Sequence, residues 1–364
     1  MIYPNINISA SRTYPWIDFA KGFCISFVVL GHTAGWFERN FPTEEAPVWM
    51  IISEFFQSVR MPLFFMVSGL LAASKMGKPP SELWDKTIGL YIIYVLWTAL
   101  YCVKLALPGG RDGHPYPSGF DLALTFIFPT NLWYIWALPV YVAVAYSLHR
   151  GLGKYRALGL LPAILFSVLA SDIASIASDI TSPPLEPVHA EETLFNFLWF
   201  YLGISAKSLV FHAIQTASYS KLVAASVFFF ATNSIFFFSE PSDKALVLPT
   251  IFGLWFALEV LGIMRYEGRI VQSLCFVGRS TLPIYVQHMF LLTGLTWLVN
   301  KTNLAETIYF SVAGMHFGGP LTLTLIVMTS CILSGTALRR IPGFRYLVVP
   351  VPNLLRPRTS TQLA

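Results

Sequence analysis

Apolar residues dominate this chain in long unbroken runs, not in the alternating or one-faced patterns of a water-soluble domain. A bilayer-spanning helix needs about 20 mostly apolar residues. Ten segments meet that requirement: residues 15–37, 47–73, 84–107, 121–148, 157–177, 193–211, 222–239, 245–264, 280–299 and 318–338. The pattern predicts an all-α fold, a polytopic membrane bundle of about ten transmembrane helices occupying residues 1–340. A short tail follows over 341–364, punctuated by Pro342, Pro350, Pro352 and Pro357. No repeat of solenoid length and no low-complexity tract interrupts the series.

Composition narrows the class further. Hydrophobic residues make up 55% of the 364 positions and charged residues 12%, against about 25% charged in soluble domains. No stretch is left for a separate soluble catalytic domain. The net charge of +5 is modest, so its placement matters more than its sum, and nucleic-acid binding finds no support. One set of alternate loops holds 17 of the 24 basic residues, and the opposite set holds 13 of the 19 acids. The positive-inside rule then predicts both termini in the cytoplasm, as an even number of spans requires. The polar start of the chain has none of the features of a signal peptide. Cys24, Cys102, Cys275 and Cys331 sit inside apolar runs without paired spacing, which predicts buried thiols and neither a disulfide framework nor a metal site.

Ionisable side chains inside a bilayer are costly and face a bundle interior or a water cavity, so they point to candidate chemistry. Asp18, Lys21 and His32 fall on one face of the first span. The imidazole lies about 16 Å further along the helix than the lysine. Asp18 and Lys21 form either a plain i,i+3 ion pair or part of a site. His32 serves either a packing hydrogen bond or proton transfer. Gly31 beside it would admit a neighbouring helix or ligand. In the second span Glu54 lies near the depth of His32, placed to orient that ring, and Arg60 follows. Arg60 reads either as half of an internal salt bridge with Glu54 or Glu259, or as an oxyanion or phosphate clamp. Pro62, ahead of Ser68 and Gly69, predicts a kinked or broken helix. The ninth span opens with Ser280 as a cap and carries Tyr285 and His288 as i,i+3 neighbours. Trp133, Tyr134 and Trp136 form either an interfacial aromatic belt or a sugar-stacking platform.

These segments resemble the acyltransferase-3 family of integral membrane O-acyltransferases. The likeness rests on Asp18, Lys21 and His32 in the first span, Met61-Pro-Leu-Phe-Phe-Met-Val-Ser-Gly69 in the second, and Ser280 to His288 in the ninth. The wording around Trp16 to Gly22 is closest to an exopolysaccharide-decorating, fucose 4-O-acetylase-like branch. Two positions depart from the family pattern, with Lys21 where many members carry Arg and Arg60 where many carry His. A lysine keeps the charge but loses the planar fork. The resemblance implies a multi-pass protein of the bacterial inner membrane that moves an acyl group, expected to be acetyl, from acyl-CoA to a hydroxyl of a cell-surface or lipid-linked glycan. Association with polysaccharide synthesis machinery fits that role, and no metal is implied. In such an enzyme His32 is the base or acyl relay, with Asp18, Glu54, Arg60 and His288 around it. Lys21, Lys75, Lys78, Arg265, Arg269 and Arg279 would hold the CoA phosphates. Trp133, Tyr134, Trp136, Ser280 and Tyr285 would meet the acceptor. A transporter or export subunit for a lipid-linked saccharide is the rival reading, since it too needs intramembrane charges.

Overall fold

The computed structural model describes residues 14–42, 48–106, 123, 125–129, 131–180, 189–238, 246–302 and 315–350. Among the described residues all regular structure is helical. The helices are α1 (Pro15–Asn40), α2 (Val48–Phe55), α3 (Gln57–Ala73), α4 (Pro80–Ala106), α5 (Trp133–Leu152), α6 (Leu160–Val168) and α7 (Ala170–Ile180). They continue with α8 (Ala190–Ser205), α9 (Lys207–Gln215), α10 (Tyr219–Phe238), α11 (Val247–Ile263), α12 (Arg269–Arg279), α13 (Thr281–Thr302) and α14 (Met315–Arg340). Lipid offers no partner for a free backbone amide, so helices are the economical way to cross it.

Every predicted apolar segment lies on a helix or a bent helix pair, the 121–148 segment partly outside the described residues. Four helices are each long and apolar enough to cross a membrane alone, or up to seven spans if each bent pair counts as one. The protein is therefore a polytopic helical membrane protein. The helix break expected around Pro62 falls elsewhere. Helix α3 runs through Pro62 without interruption, and the bend of 49° lies upstream at Phe56, between α2 and α3. The reason is a polar bracket from α10. Asn233 donates from Nδ2 to the Phe55 carbonyl at 2.7 Å and accepts from Ser58 Oγ at 2.8 Å. The backbone freed by the break is thus satisfied inside the protein. Two more breaks, a 78° bend between α8 and α9 and the break at Leu169 between α6 and α7, have no proline.

The basic segment Arg265–Arg279, expected as a loop, contains α12, and the basic stretch Lys207–Lys221 contains α9. At 11 residues α12 is too short to cross and instead lies along the start of α1. Gly22 and Gly278 sit against the facing backbone there. Helices α3 and α8 approach as closely, because Gly69 and Gly203 face each other and a Cβ on either would strike the opposite main chain.

Side-chain contacts gather the basic segments at one end of the bundle. Tyr146 Oη donates to the Lys78 carbonyl and accepts from Arg150. Tyr201 Oη donates to the Arg156 carbonyl at 2.8 Å, Phe211 packs edge-on against Tyr14 and Trp16, and Arg279 pairs with Asp18. The opposite end holds His189, Glu191 and Glu192. The chain reverses over Gly153–Gly159, so α5 and α6 run in opposite directions beside α8: Trp133 stacks on His189, while Arg156 meets Tyr201. The expected tail begins with a 3-10 turn, Phe344–Leu347, docked on α4 through Trp97 Nε1 donating to the Leu347 carbonyl at 2.8 Å. The rest of it, from residue 351, lies outside the described residues. Cys24, Cys275 and Cys331 are buried free thiols and Cys102 is half-buried.

Candidate active site

A cavity of about 330 Å³ opens among α1, α3, α6, α7, α8 and α13, toward the end that carries His189, Glu191 and Glu192. Helix α1 contributes His32, whose ring is exposed to this space and has no hydrogen-bond partner among the described residues. Helix α13 contributes His288, with its ring centroid 5.2 Å from that of His32 and the planes inclined at 38°. His288 is only 2% exposed. Its Nδ1 lies 2.8 Å from the Tyr285 carbonyl and 3.1 Å from that of Ile284. Carbonyls only accept, so Nδ1 carries the proton and donates, which leaves Nε2 as an unprotonated acceptor. Among the described residues no group uses that Nε2 lone pair.

Arg60 stands beside this pair. Its Nη1 donates to the Phe27 carbonyl at 3.3 Å and to Ser53 Oγ. The approach is possible because the neighbouring α1 position is Gly31, where an added Cβ would lie 3.2 Å from Arg60 Nη1 and collide with Ser53 Oγ. Arg60 forms no ion pair with Glu54 or Glu259, so neither salt bridge considered for it exists. Glu259 instead accepts from the Ser218 amide at 3.0 Å and Trp255 Nε1 at 3.1 Å. With Nη1 anchored, Arg60 Nε has no partner among the described residues. Leaving a buried polar group unmade costs about 1–3 kcal/mol. Four such atoms, Arg60 Nε, His288 Nε2, Ser167 Oγ and Asn196 Oδ1, belong to residues that line this one cavity. Their clustering marks the site as built for a polar ligand.

A second cavity of about 170 Å³ lies toward the basic end, lined by Lys21, Ser68, Tyr134, Thr281 and Leu282 among others. Phe64 and Tyr285 line both cavities and form the wall between them. The wall is tightly made. Tyr134 stacks on Phe64 at 4.6 Å with planes 4° apart, its amide donates to Tyr285 Oη at 3.1 Å, and its hydroxyl shares a hydrogen bond of 2.8 Å with Ser68 Oγ.

The structure distributes the other candidates more widely than one site. Asp18 is buried in an ion cluster with Lys21 at 3.4 Å and Arg279 at 3.5 Å, and lines neither cavity. Glu54 is exposed and off the cavity. Lys75 is half-buried, and Lys78, Arg265, Arg269 and Arg279 are exposed at the basic end outside both cavities. The aromatic trio divides. Trp133 lines the larger cavity, Tyr134 belongs to the wall, and Trp136 Nε1 donates to the Ile127 carbonyl at 2.7 Å away from both. Ser280 is the residue at which α12 ends, not a side-chain cap for α13. Ser167, His189, Glu192 and Asn196 line the larger cavity and were missed in the sequence. Only Asn196, a polar residue within the apolar run Leu194 to Tyr201, carried a signal strong enough to find.

An ionisable cluster enclosed between membrane helices, open toward one end of the bundle and backed by a second cavity, defines a membrane-embedded site for a polar reaction. The model of the acyltransferase domain matches residues 14–339, nearly the whole chain, and the protein belongs to this family of membrane acyltransferases. The chain is 24% identical to the inner membrane protein YcfT of Escherichia coli (strain K12), over 76% of this chain and 79% of that protein. No solved structure matches it.

Proposed function

We propose that this protein is an O-acyltransferase that accepts an acyl group, in the first instance acetyl, from acyl-CoA at the basic end and passes it to a glycan hydroxyl at the opposite end. The observation that carries this reading is the pair of back-to-back cavities sharing Phe64 and Tyr285, one holding Lys21 and the other His32, His288 and Arg60. Basic residues suit an anionic donor. The basic end is then cytoplasmic, the membrane is a bacterial inner membrane as the printed name of YcfT suggests for that relative, and the acceptor is an exopolysaccharide unit or its lipid-linked precursor.

In the reaction the pantetheine arm parts the Phe64–Tyr285 wall to bring the thioester beside His32, and the acceptor oxygen attacks its carbonyl while His32 takes the proton. The new C–O bond forms as the carbonyl oxygen becomes an oxyanion, which Arg60 Nε–H stabilises. The C–S bond then breaks and the CoA sulfur receives the proton from His32, giving ester and free thiol. His288, with its tautomer fixed by two carbonyls, offers Nε2 to the protonated His32 ring. The test is purified protein in detergent with labelled acetyl-CoA. Acceptor-dependent release of CoA with formation of an acetyl ester is the expected result. Label on the protein without acceptor would replace the base with an acyl-imidazole relay. An absence of any ester with any alcohol would overturn the assignment.

A further inference from the structure

We infer that Asn196 and Ser167 form an acceptor-binding subsite that grips a second hydroxyl of the acceptor, next to the one that reacts, so that the cavity selects vicinal diols over isolated hydroxyls. This deepens the proposed acyl transfer and rests on it. Across from His32, Arg60 and His288, the α6–α8 wall of the cavity is uncharged at its base. Asn196 and Ser167 are each 3% exposed there. Asn196 Nδ2 donates to the Glu192 carbonyl at 2.8 Å, and because a carbonyl cannot donate, this bond settles the amide orientation. The atom left over is Oδ1, a pure acceptor without a partner among the described residues. Ser167 Oγ is equally unpartnered and can give or take one hydrogen bond.

A ligand that satisfies both atoms must present a hydroxyl or amide hydrogen to Asn196 and a second polar function within reach of Ser167. The mouth above them fits the same chemistry. Glu192 and His189 are joined at 3.2 Å, and His189, which stacks on Trp133 at 5.6 Å, sits at φ 64°, a sparsely occupied conformation for a residue other than glycine. Acceptors of hydrogen bonds beside an aromatic face are what a polyol ring can use. A site built to bond one hydroxyl rejects an analogue lacking it, because its own polar atoms are then left unpaired.

The experiment uses the full-length protein in detergent, labelled acetyl-CoA, and two small acceptors of similar size, 1,2-propanediol and 1-propanol. Unmodified protein is expected to acetylate the diol about tenfold faster per hydroxyl, the worth of roughly one hydrogen bond. Asn196→Leu and Ser167→Ala should each bring that ratio toward one, whatever their absolute rates. Ser167→Ala is the conservative change and carries the test if Asn196→Leu does not fold. Equal use of both alcohols by the unmodified protein would overturn the subsite while leaving acyl transfer intact, as would a diol preference that survives in Ser167→Ala and in folded Asn196→Leu. Absence of both esters would overturn the transfer reading and this one with it.

Discussion

Replacing His288 by asparagine separates the two halves of its ring. Asparagine Nδ2 stands at nearly the same distance from the main chain as histidine Nδ1, so the donor to the Tyr285 and Ile284 carbonyls, at 2.8 and 3.1 Å, is retained. What disappears is Nε2, which has no partner among the described residues, while a carbonyl Oδ1 takes the place of a ring carbon, so the stability cost is lost packing plus one buried acceptor, about 1–3 kcal/mol. The catalytic cost is different. If Nε2 supports the protonated His32 ring at 5.2 Å between centroids, the variant loses a hydrogen bond to a charged group, about 1.5–3 kcal/mol. That converts to a fall in kcat of about 10- to 150-fold. The KM for acyl-CoA should stay put, since Lys21 and the second cavity are untouched. The assay is the initial rate of acetyl transfer at saturating donor, beside thermal unfolding of the same sample in detergent. An unchanged kcat in folded His288→Asn would refute the support role, and so would a loss that appears wholly in the donor KM.

Three further outcomes are expected. His32→Ala should insert normally and lose at least about 100-fold in transfer; near-normal rates in correctly inserted protein would move the proton acceptor elsewhere. Lys21→Ala should raise the KM for acyl-CoA while Lys21→Arg keeps most activity, and an unchanged KM in folded Lys21→Ala would remove the donor role. In cells, an impermeant thiol reagent should label Glu44→Cys and spare Lys154→Cys, and the reverse pattern would invert the topology.

The helices were legible in the sequence because lipid is a demanding solvent. A segment either hides its backbone in a helix with an apolar coat or cannot reside there, and the apolar runs announced helices in that way, although ten spans were expected and the described residues hold four to seven candidates. The breaks were not legible. Phe56, Leu169 and Ala206 are ordinary residues, and what permits the bend at Phe56 is Asn233, distant in sequence and met only after folding. Pro62 drew attention to the right stretch of chain and the wrong position: it is the sixth residue of α3, carried inside the helix, while the chain bends upstream at Phe56 where Asn233 takes up the freed backbone. Helix α12 was hidden for the opposite reason: its charges resembled a loop, and its short amphipathic pattern is not that of a span. At the site, His32, Arg60 and His288 were visible because a titratable group in an apolar run is expensive. Ser167 and Asn196 cost less to bury and drew less notice. Asp18 and Glu54 were grouped with His32 by face and by depth, but shared periodicity does not bring side chains to one cavity.

The aromatic wall also has an electrical meaning. A cell membrane stores a voltage, and each elementary charge that slips through 100 mV dissipates about 2.3 kcal/mol. A protein with hollows reaching in from both ends is one short connection away from being a channel. Phe64, Tyr134 and Tyr285 fill that connection, Tyr134 stacked on Phe64 and edge-on to Tyr285, with the Tyr134 amide donating to the Tyr285 hydroxyl and the Tyr134 hydroxyl bonded to Ser68, so that packed rings stand where a file of water would have to run. The same three rings that part the two chambers thus act as an insulator, and trimming any one of them to a methyl would put the cell's ion gradients at risk whether or not a single acyl group were moved.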